Sequence, residues 1–355
     1  QFELAQNPTG YISAVRFAPG SSTRLLVSSW DRHVYLYDTL GEPGGTLLKK
    51  FHHKGRGITD CCWGRDDNEA FACATDGQVW NRIDLASGEQ TLLSTHEKSA
   101  GPKPKNGVRH VVFVPQYNLL ISGSWASSLH LHDVESGKWA TVNVPGKVYA
   151  LSTTPTKLIV GMQTRQNNIY ELAHVAQVLA NSIADPPNMV ELDPIQVRES
   201  SLKYQTRTVA CMPNDAGYAS SSIEGRIAVE WFDPSEESQS RKYAFKCHRQ
   251  TIGDTDHVYP VHALAFHPVH GTFASGGGDG VVALWDGVAK RRIRQYQKFP
   301  ASVNCLEFSS DGKYMAIGVS PSFGDGMTEM PDGVKKVFIR ELGDSEAMGK
   351  HASKK

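Results

Sequence analysis

The stretch Thr272-Phe-Ala-Ser-Gly-Gly-Gly-Asp-Gly-Val-Val-Ala-Leu-Trp-Asp286 contains the local pattern on which the whole chain is built. It predicts two short strands joined by a tight turn, because apolar residues flank glycines around Asp279 and hairpin turns need the positive φ values that glycine tolerates. The preceding segment 261–268 alternates apolar and polar residues, which is typical of a half-buried strand. The sequence therefore predicts three short consecutive strands in this region.

Similar units recur along the chain, and each resembles one blade of a WD-repeat β-propeller. Successive copies end at Asp38, Asp84 and Asp133, a period near or slightly above the ~40–45 residues of a WD repeat. About seven copies can be counted along the chain. We therefore expect an all-β fold, a seven-bladed WD40 β-propeller.

The domain organisation follows from these copies. Residues 1–343 are expected to form a single propeller and residues 344–355 a disordered tail. The alternating segment 2–4 is expected to pair with the last blade and close the ring. Surface loops are expected at 97–106 and 321–333. Apolar residues at helical spacing in 171–181 predict a short amphipathic helix that packs against the side of the ring.

The composition argues against several functions. Positive and negative side chains number 37 each, so no overall field favours nucleic acid or an anionic membrane. No apolar run is long enough for a transmembrane helix. The six cysteines form no C-x-x-C pair and the histidines lack a matching ligand cluster. We therefore expect buried free thiols, no metal and no cofactor.

Four residues near one copy look like parts of a hydrolytic triad: His257, Ser275, Asp279 and Trp285. Their spacing instead resembles the structural tetrad of WD repeats, in which hydrogen bonds satisfy buried polar groups within a blade. No Gly-x-Ser-x-Gly elbow accompanies them, and the glycines at 276–280 lack the lysine and helix of a phosphate loop. We therefore expect no catalytic residues and a protein that is not an enzyme.

Two tryptophans occupy equivalent turns of the first and third copies. Trp30 and Trp125 each follow a serine between two strands, where a side chain is poorly placed for the blade core. Surface tryptophans are disproportionately binding anchors. The alternative is that they pack between loops at the face of the ring.

A group of basic residues lies in the fifth copy: Arg207, Arg226, Lys246 and Arg249. Such a group is by itself usually a solvated surface. The segments around it are more specific, and they comprise 198–207, 221–230 and 242–249. Together with 26–31 and 258–261, they resemble the spindle-assembly-checkpoint WD-repeat family known as "budding uninhibited by benzimidazole". The resemblance covers about residues 2–342.

The resemblance implies a monomeric propeller without enzymatic activity, located in the nucleus and at the kinetochore in mitosis. It implies binding to the GLEBS motif of the checkpoint kinase and of its pseudokinase-like relative, through Trp30, Trp125 and Arg207. It also implies recognition of phosphorylated Met-Glu-Leu-Thr repeats on the kinetochore scaffold, through Arg226 and Lys246. Because the chain is neutral overall, it must attract such a phosphopeptide through a local patch.

Two departures and two rivals accompany this resemblance. The segment 173–196 is longer than the family pattern, so the outer edge of the fourth blade does not follow from the resemblance. Ala126 stands where an aspartate is usual, which weakens one hydrogen bond of the turn.

The first rival is the paralogous mRNA-export propeller, which binds a nucleoporin GLEBS motif and shares segments 223–226 and 245–249 with this chain. Segments 200–204 and 228–232 fit the checkpoint family better. The second, a propeller hydrolase, requires an acidic channel site that the sequence does not suggest.

Overall fold

The computed structural model describes residues 1–41, 43–96, 106–183, 188–322 and 332–349. These residues form seven four-stranded antiparallel sheets arranged as the blades of a ring, together with a separate two-stranded hairpin. The predicted seven-bladed β-propeller is therefore confirmed. Most of each loop predicted at 97–106 and 321–333 lies outside the described residues.

The blades follow the chain in order, and the seventh takes its outermost strand, β1 (Phe2–Glu3), from the N-terminus. Blades 1 to 3 comprise β2 (Ile12–Phe17), β3 (Arg24–Ser29), β4 (His33–Asp38), β5 (Thr46–His52), β6 (Ile58–Trp63), β7 (Glu69–Ala74), β8 (Gln78–Asp84), β9 (Gln90–Thr95), β10 (Val108–Val114), β11 (Leu119–Ser124), β12 (Ser128–Asp133) and β13 (Trp139–Asn143). Blades 4 and 5 comprise β14 (Val148–Thr153), β15 (Lys157–Met162), β16 (Gln166–Glu171), β17 (Gln196–Glu199), β18 (Thr206–Cys211), β19 (Gly217–Ser222), β20 (Arg226–Trp231) and β21 (Tyr243–Lys246). The separate hairpin comprises β22 (Arg249–Ile252) and β23 (Thr255–Val258). Blades 6 and 7 comprise β24 (Val261–Phe266), β25 (Phe273–Gly277), β26 (Val282–Asp286), β27 (Arg291–Gln295), β28 (Val303–Phe308), β29 (Tyr314–Val319) and β30 (Lys336–Glu341).

The described helices are short: a 3-10 turn (Pro115–Tyr117), α1 (Leu172–Asn181) and α2 (Glu236–Ser240). As its spacing predicted, α1 buries Leu172, Val175 and Leu179, which pack into the core between blades 3 and 4. Strand β17 pairs with β16, so the outer edge of blade 4 is a regular fourth strand despite the insertion at 173–196.

The core is divided among the interfaces between neighbouring blades. Side chains of a strand alternate between the two faces of its sheet, and here each face meets an adjacent blade, so both faces are apolar. Each of the seven buried clusters accordingly combines residues of two adjacent blades. Leu26 and Phe51 of blade 1, for example, belong to one cluster with Trp63 of blade 2.

The ring closes through the N-terminal strand, as predicted. Strand β1 is antiparallel to β30, with Phe2 opposite Ile339. The Leu4 amide donates a further hydrogen bond of 2.9 Å to the Val337 carbonyl. This pairing covers the edge that blade 7 would otherwise expose.

The tetrad of blade 6 forms, but its histidine is His248 rather than the predicted His257. His248 Nδ1 lies 2.9 Å from Asp279 Oδ1, and its Nε2 lies 2.8 Å from Ser275 Oγ. Trp285 Nε1 donates a hydrogen bond of 2.8 Å to the same hydroxyl. The prediction was wrong because the hairpin β22–β23 is inserted between β21 and β24, and it carries His257 onto an exposed strand outside the blades.

The substitution His248→Ala is expected to destabilise the protein by about 1–3 kcal/mol, because it removes a buried hydrogen-bond partner of both Asp279 and Ser275. His257→Ala is expected to change stability by less than about 0.5 kcal/mol, as exposed substitutions usually do. Urea unfolding followed by tryptophan fluorescence measures both variants. Equal effects of the two substitutions would contradict the assignment of the tetrad.

Blade 3 has a variant of the same network, because Ala126 stands where the aspartate is usual. His96 Nε2 lies 2.8 Å from Ser122 Oγ, as the histidine and serine of blade 6 do. His96 Nδ1 lies 3.1 Å from Ser128 Oγ. Ser128 therefore supplies the bond that the missing aspartate leaves open.

The C-terminal segment packs on the ring as far as Gly349, so the domain boundary predicted after residue 343 was too early. Glu346 Oε1 accepts hydrogen bonds from Tyr296 Oη at 2.7 Å and from Arg340 Nη2 at 2.8 Å. Tyr296 follows β27 of blade 6, whereas Arg340 lies on β30 of blade 7. Through Glu346, the C-terminal segment thus links blades 6 and 7 by hydrogen bonds.

The contribution of these Glu346 hydrogen bonds to the stability of the fold is expected to depend on pH. Burial raises the pKa of Glu346, but hydrogen bonds from Tyr296 and Arg340 outweigh this and hold the pKa below its ordinary value of 4.5. A carboxyl group with a depressed folded-state pKa stabilises the fold above its ordinary pKa, and this contribution is lost as the pH falls through the folded-state pKa. Glu346→Gln should therefore cost about 1 kcal/mol at neutral pH and much less in acid.

Thermal unfolding at neutral pH and at about pH 3 measures this difference, since the folded-state pKa lies below the ordinary one. The exposed Glu341 provides the matched control Glu341→Gln, which should have little effect at either pH. A cost of Glu346→Gln that is the same at both pH values would exclude an ionic tie.

Candidate functional site

The first strands of the seven blades form the inner wall of the ring. Each contacts the first strand of the next blade, and the circle closes between β28 and β2. Because every blade repeats the same strand order, the first residues of these strands meet at one mouth of the central channel. Side chains at this mouth are therefore brought together from all parts of the sequence.

A β-bulge follows the first residue of every one of these strands. A bulge inserts one unpaired residue and re-aims its side chain. The bulged residues are Ser13, Thr59, Arg109, Tyr149, Arg207, His262 and Asn304. All seven line a cavity of about 410 Å³ at the mouth of the channel, which we call the central cavity.

The central cavity also contains both tryptophans that the sequence singled out. Trp30 follows β3 and Trp125 follows β11, and both side chains are half-buried. Their backbones are held in the same way, since each amide donates a hydrogen bond of 2.9 Å, from Trp30 to the Tyr11 carbonyl and from Trp125 to the Gly107 carbonyl. The structure thus brings the predicted residues Trp30, Trp125 and Arg207 to one cavity.

Trp125 combines packing against a loop with exposure to the cavity. A Cβ atom at Gly107 would lie 2.7 Å from Trp125 Cε3, so a glycine is needed for this close contact. The Trp125 Nε1 atom is buried and has no hydrogen-bond acceptor among the described residues. The indole N–H is thus covered by protein atoms, and the apolar ring is the part of Trp125 that the cavity presents to a ligand.

The central cavity is positively charged. Its described lining includes Arg109, Lys147 and Arg207 but no carboxylate. Burial lowers the pKa of His262 well below its usual value, and the neighbouring Arg207 and Arg109 lower it further, so this imidazole is neutral. Arg207 Nε donates a hydrogen bond of 3.0 Å to His262 Nδ1. Such a cationic, aromatic depression suits an acidic side chain of a peptide.

Sequence reasoning missed six of the seven bulged residues that line the central cavity: Ser13, Thr59, Arg109, Tyr149, His262 and Asn304. A signal for them exists, because each is the second residue of the first strand in its repeat, the position that Arg207 occupies in blade 5. The alternation of a strand does not distinguish this position. The bulge that re-aims the side chain becomes visible only when the strand is paired with its neighbour.

A second surface lies on blade 5, where Arg226 and Lys246 stand directly opposite each other on β20 and β21. Opposed residues share a face with Cβ atoms about 4.5–5.5 Å apart, and like charges there repel. Arg226 Nε lies 2.7 Å from Glu224 Oε1. No carboxylate of the described residues lies within ion-pair distance of the exposed Lys246. A bound anion would relieve the repulsion, so this pair suits a phosphate.

Lys246 lines a groove of about 370 Å³ between blades 5 and 6, which we call the outer groove. The cationic residues of its described lining are Lys246, Arg249, Arg292 and Lys298. The acidic residue of that lining, Asp279, is already bonded to His248. Arg207 lies at the start of β18, and Lys246 lies at the end of β21, opposite the start of β20. Strand pairing places these three strand ends at the same end of blade 5. The outer groove and the central cavity therefore open on the same face of the ring.

Within the described part of the chain, no three His, Cys, Asp or Glu side chains are grouped so that they could hold a metal ion. All six cysteines are unpaired and buried, as predicted. None of the described helices has the length and apolar character needed to cross a membrane.

The fold and its repeats define a WD-repeat β-propeller, and the family model "WD domain, G-beta repeat" matches residues 2–38 and 245–286. The chain is 40% identical over 354 residues to mitotic checkpoint protein BUB3.1 of Arabidopsis thaliana, covering 98% of this chain and 94% of that protein. It is 35% identical over 345 residues to mitotic checkpoint protein bub3 of Dictyostelium discoideum, covering 96% and 94%. The chain belongs to the BUB3 family of mitotic checkpoint WD-repeat proteins. The mRNA-export propellers are related as well, since a poly(A)+ RNA export protein of Schizosaccharomyces pombe is 30% identical over 329 residues, covering 92% and 86%.

Proposed function

We propose that the protein is a non-enzymatic mitotic checkpoint adaptor with two peptide-binding surfaces. The central cavity receives the GLEBS motif of a checkpoint kinase or of its pseudokinase-like relative. The outer groove, beside Arg226 and Lys246, receives a phosphorylated Met-Glu-Leu-Thr repeat of the kinetochore scaffold. The adaptor then acts in the nucleus and, during mitosis, at the kinetochore.

The meeting of Trp30, Trp125 and Arg207 in one cavity is the observation that supports this proposal most. Aromatic and arginine side chains in partly buried pockets supply most of the binding energy at peptide and protein interfaces. A glutamate of the GLEBS motif would find guanidinium donors there and no competing carboxylate among the described lining residues.

The charges of the outer groove support the second half of the proposal. A phosphothreonine carries about −1.5 to −2 charges and three strong acceptor oxygens. The guanidinium of Arg226 offers a planar fork of donors, and the ammonium of Lys246 adds a compact charge directly across the strand pair. The two side chains can therefore hold one phosphate group between them.

The alternative is an mRNA-export propeller that binds a nucleoporin GLEBS motif, and the similarity to the poly(A)+ RNA export protein favours it. A quantitative pull-down from mitotically arrested cells separates the two functions. Recovery of the checkpoint kinase supports the proposal, whereas recovery of a nucleoporin without the kinase contradicts it. The double variant Trp30→Ala/Trp125→Ala is the matched control, because it should lose whichever partner occupies the central cavity.

A further inference from the structure

The guanidinium of Arg226 lies next to a carboxylate of the preceding turn, that of Glu224. Glu224 and Arg226 flank Gly225, which joins β19 to β20 with φ of +64°, a conformation that favours glycine. This turn brings Glu224 Oε1 to 2.7 Å from Arg226 Nε, and 35% of the Arg226 side chain remains exposed. An anion that approaches Arg226 therefore meets a carboxylate already in place.

The contact between Glu224 and Arg226 is an ion pair without an aligned hydrogen bond. Although the two atoms are close, the buried Arg226 Nε–H has no hydrogen-bond acceptor in suitable geometry among the described residues. A guanidinium–carboxylate pair gains most when two N–H groups point at two oxygens, which is not the arrangement here. Glu224 therefore holds Arg226 more weakly than a phosphate with several oxygens would.

The backbone of Glu224 is fixed beside the outer groove. Arg249 Nη2 donates a hydrogen bond of 2.9 Å to the Glu224 carbonyl, and Arg249 itself lines the outer groove. This hydrogen bond holds the backbone of the turn, so a ligand that reaches Arg226 competes with the Glu224 side chain and not with its backbone. Because the backbone is held beside the outer groove, the short Glu224 side chain keeps its negative charge near that groove.

We propose that Glu224 limits the affinity of the outer groove for phosphorylated peptides by acting as a built-in competitor for Arg226. This inference rests on the proposed function, in which Arg226 and Lys246 bind phosphothreonine. When the groove is empty, Glu224 neutralises Arg226. When a phosphate enters, it displaces the Glu224 carboxylate and is repelled by the same charge, so binding stays reversible.

The test is the isosteric substitution Glu224→Gln, which keeps the side-chain volume and removes the charge. Calorimetric titration in a buffer without phosphate uses a Met-Glu-Leu-Thr peptide in its phosphorylated and plain forms. The variant is expected to bind the phosphorylated peptide roughly three- to tenfold more tightly, because one like charge near the phosphate has been removed. Its affinity for the plain peptide should not change.

The matched control is Glu237→Gln, the same change of charge at an exposed position on α2, beyond the opposite end of β20. It should bind both peptides as the wild type does, and thermal unfolding checks that both variants are folded. If Glu224→Gln binds the phosphorylated peptide equally or more weakly, Glu224 is a positioning residue and the inference is wrong, while the proposed function stands. If the wild type does not prefer the phosphorylated peptide, the proposed function fails and the inference fails with it.

Discussion

Replacing Trp30 or Trp125 by alanine is expected to weaken binding of a GLEBS peptide by about 2–4 kcal/mol, roughly 30- to 1000-fold in dissociation constant. Both indoles are half-buried in the central cavity beside Arg207, so each presents a large, rigid apolar surface at little cost in entropy. Isothermal titration calorimetry with a synthetic GLEBS peptide measures each loss.

The control for this experiment is Trp139→Ala. Trp139 lies on β13, the outer strand of blade 3, and is partly exposed like the other two, but it does not line the central cavity. It should leave peptide affinity unchanged. If Trp30→Ala and Trp125→Ala both retained wild-type affinity while remaining folded, the central cavity would not be the GLEBS site.

Removal of Arg226 or Lys246 is expected to abolish the preference for a phosphorylated Met-Glu-Leu-Thr peptide. Each charge-assisted hydrogen bond to the phosphate contributes about 1.5–3 kcal/mol, so either alanine variant should bind the phosphorylated peptide roughly ten- to a hundredfold more weakly. Because the protein has no net charge, the attraction comes from the local pair and should weaken as salt screens it. Titration of both peptide forms at two salt concentrations measures these effects.

The outer groove and the central cavity lie at different distances from the channel axis, which provides an internal control. Arg226→Ala and Lys246→Ala should bind a GLEBS peptide normally, since neither residue lines the central cavity. Lys242→Ala removes an exposed charge just before β21 and should change nothing. A double variant Arg226→Ala/Lys246→Ala that still preferred the phosphorylated peptide would refute the phosphate clamp.

Much of the fold could be predicted from the sequence because its signals are local. Strand alternation and glycine-rich turns act over a few residues, so the sequence alone predicts the repeated blades and the closing strand at Phe2. The tryptophans of the central cavity were visible for a similar reason. Trp30 and Trp125 occupy equivalent turns, where a large apolar side chain has no place in the blade core.

The tertiary structure alone decided which residues meet. His248 rather than His257 completes the tetrad because an inserted hairpin displaces the nearer histidine, and the sequence does not show where the blade resumes. The packing of Glu346 on blade 6 likewise depends on partners far along the chain.

The sequence by itself thus determined the class of fold, the blade period and the equivalent turn positions of Trp30 and Trp125. The bulges that turn Arg109 and His262 into the central cavity, and the register that sets Arg226 opposite Lys246, were decided only by strand pairing. The physical reason is the two-residue period of a strand. A shift of one position in the pairing moves a side chain to the other face of the sheet, and this register is set by contacts between segments that are distant in sequence.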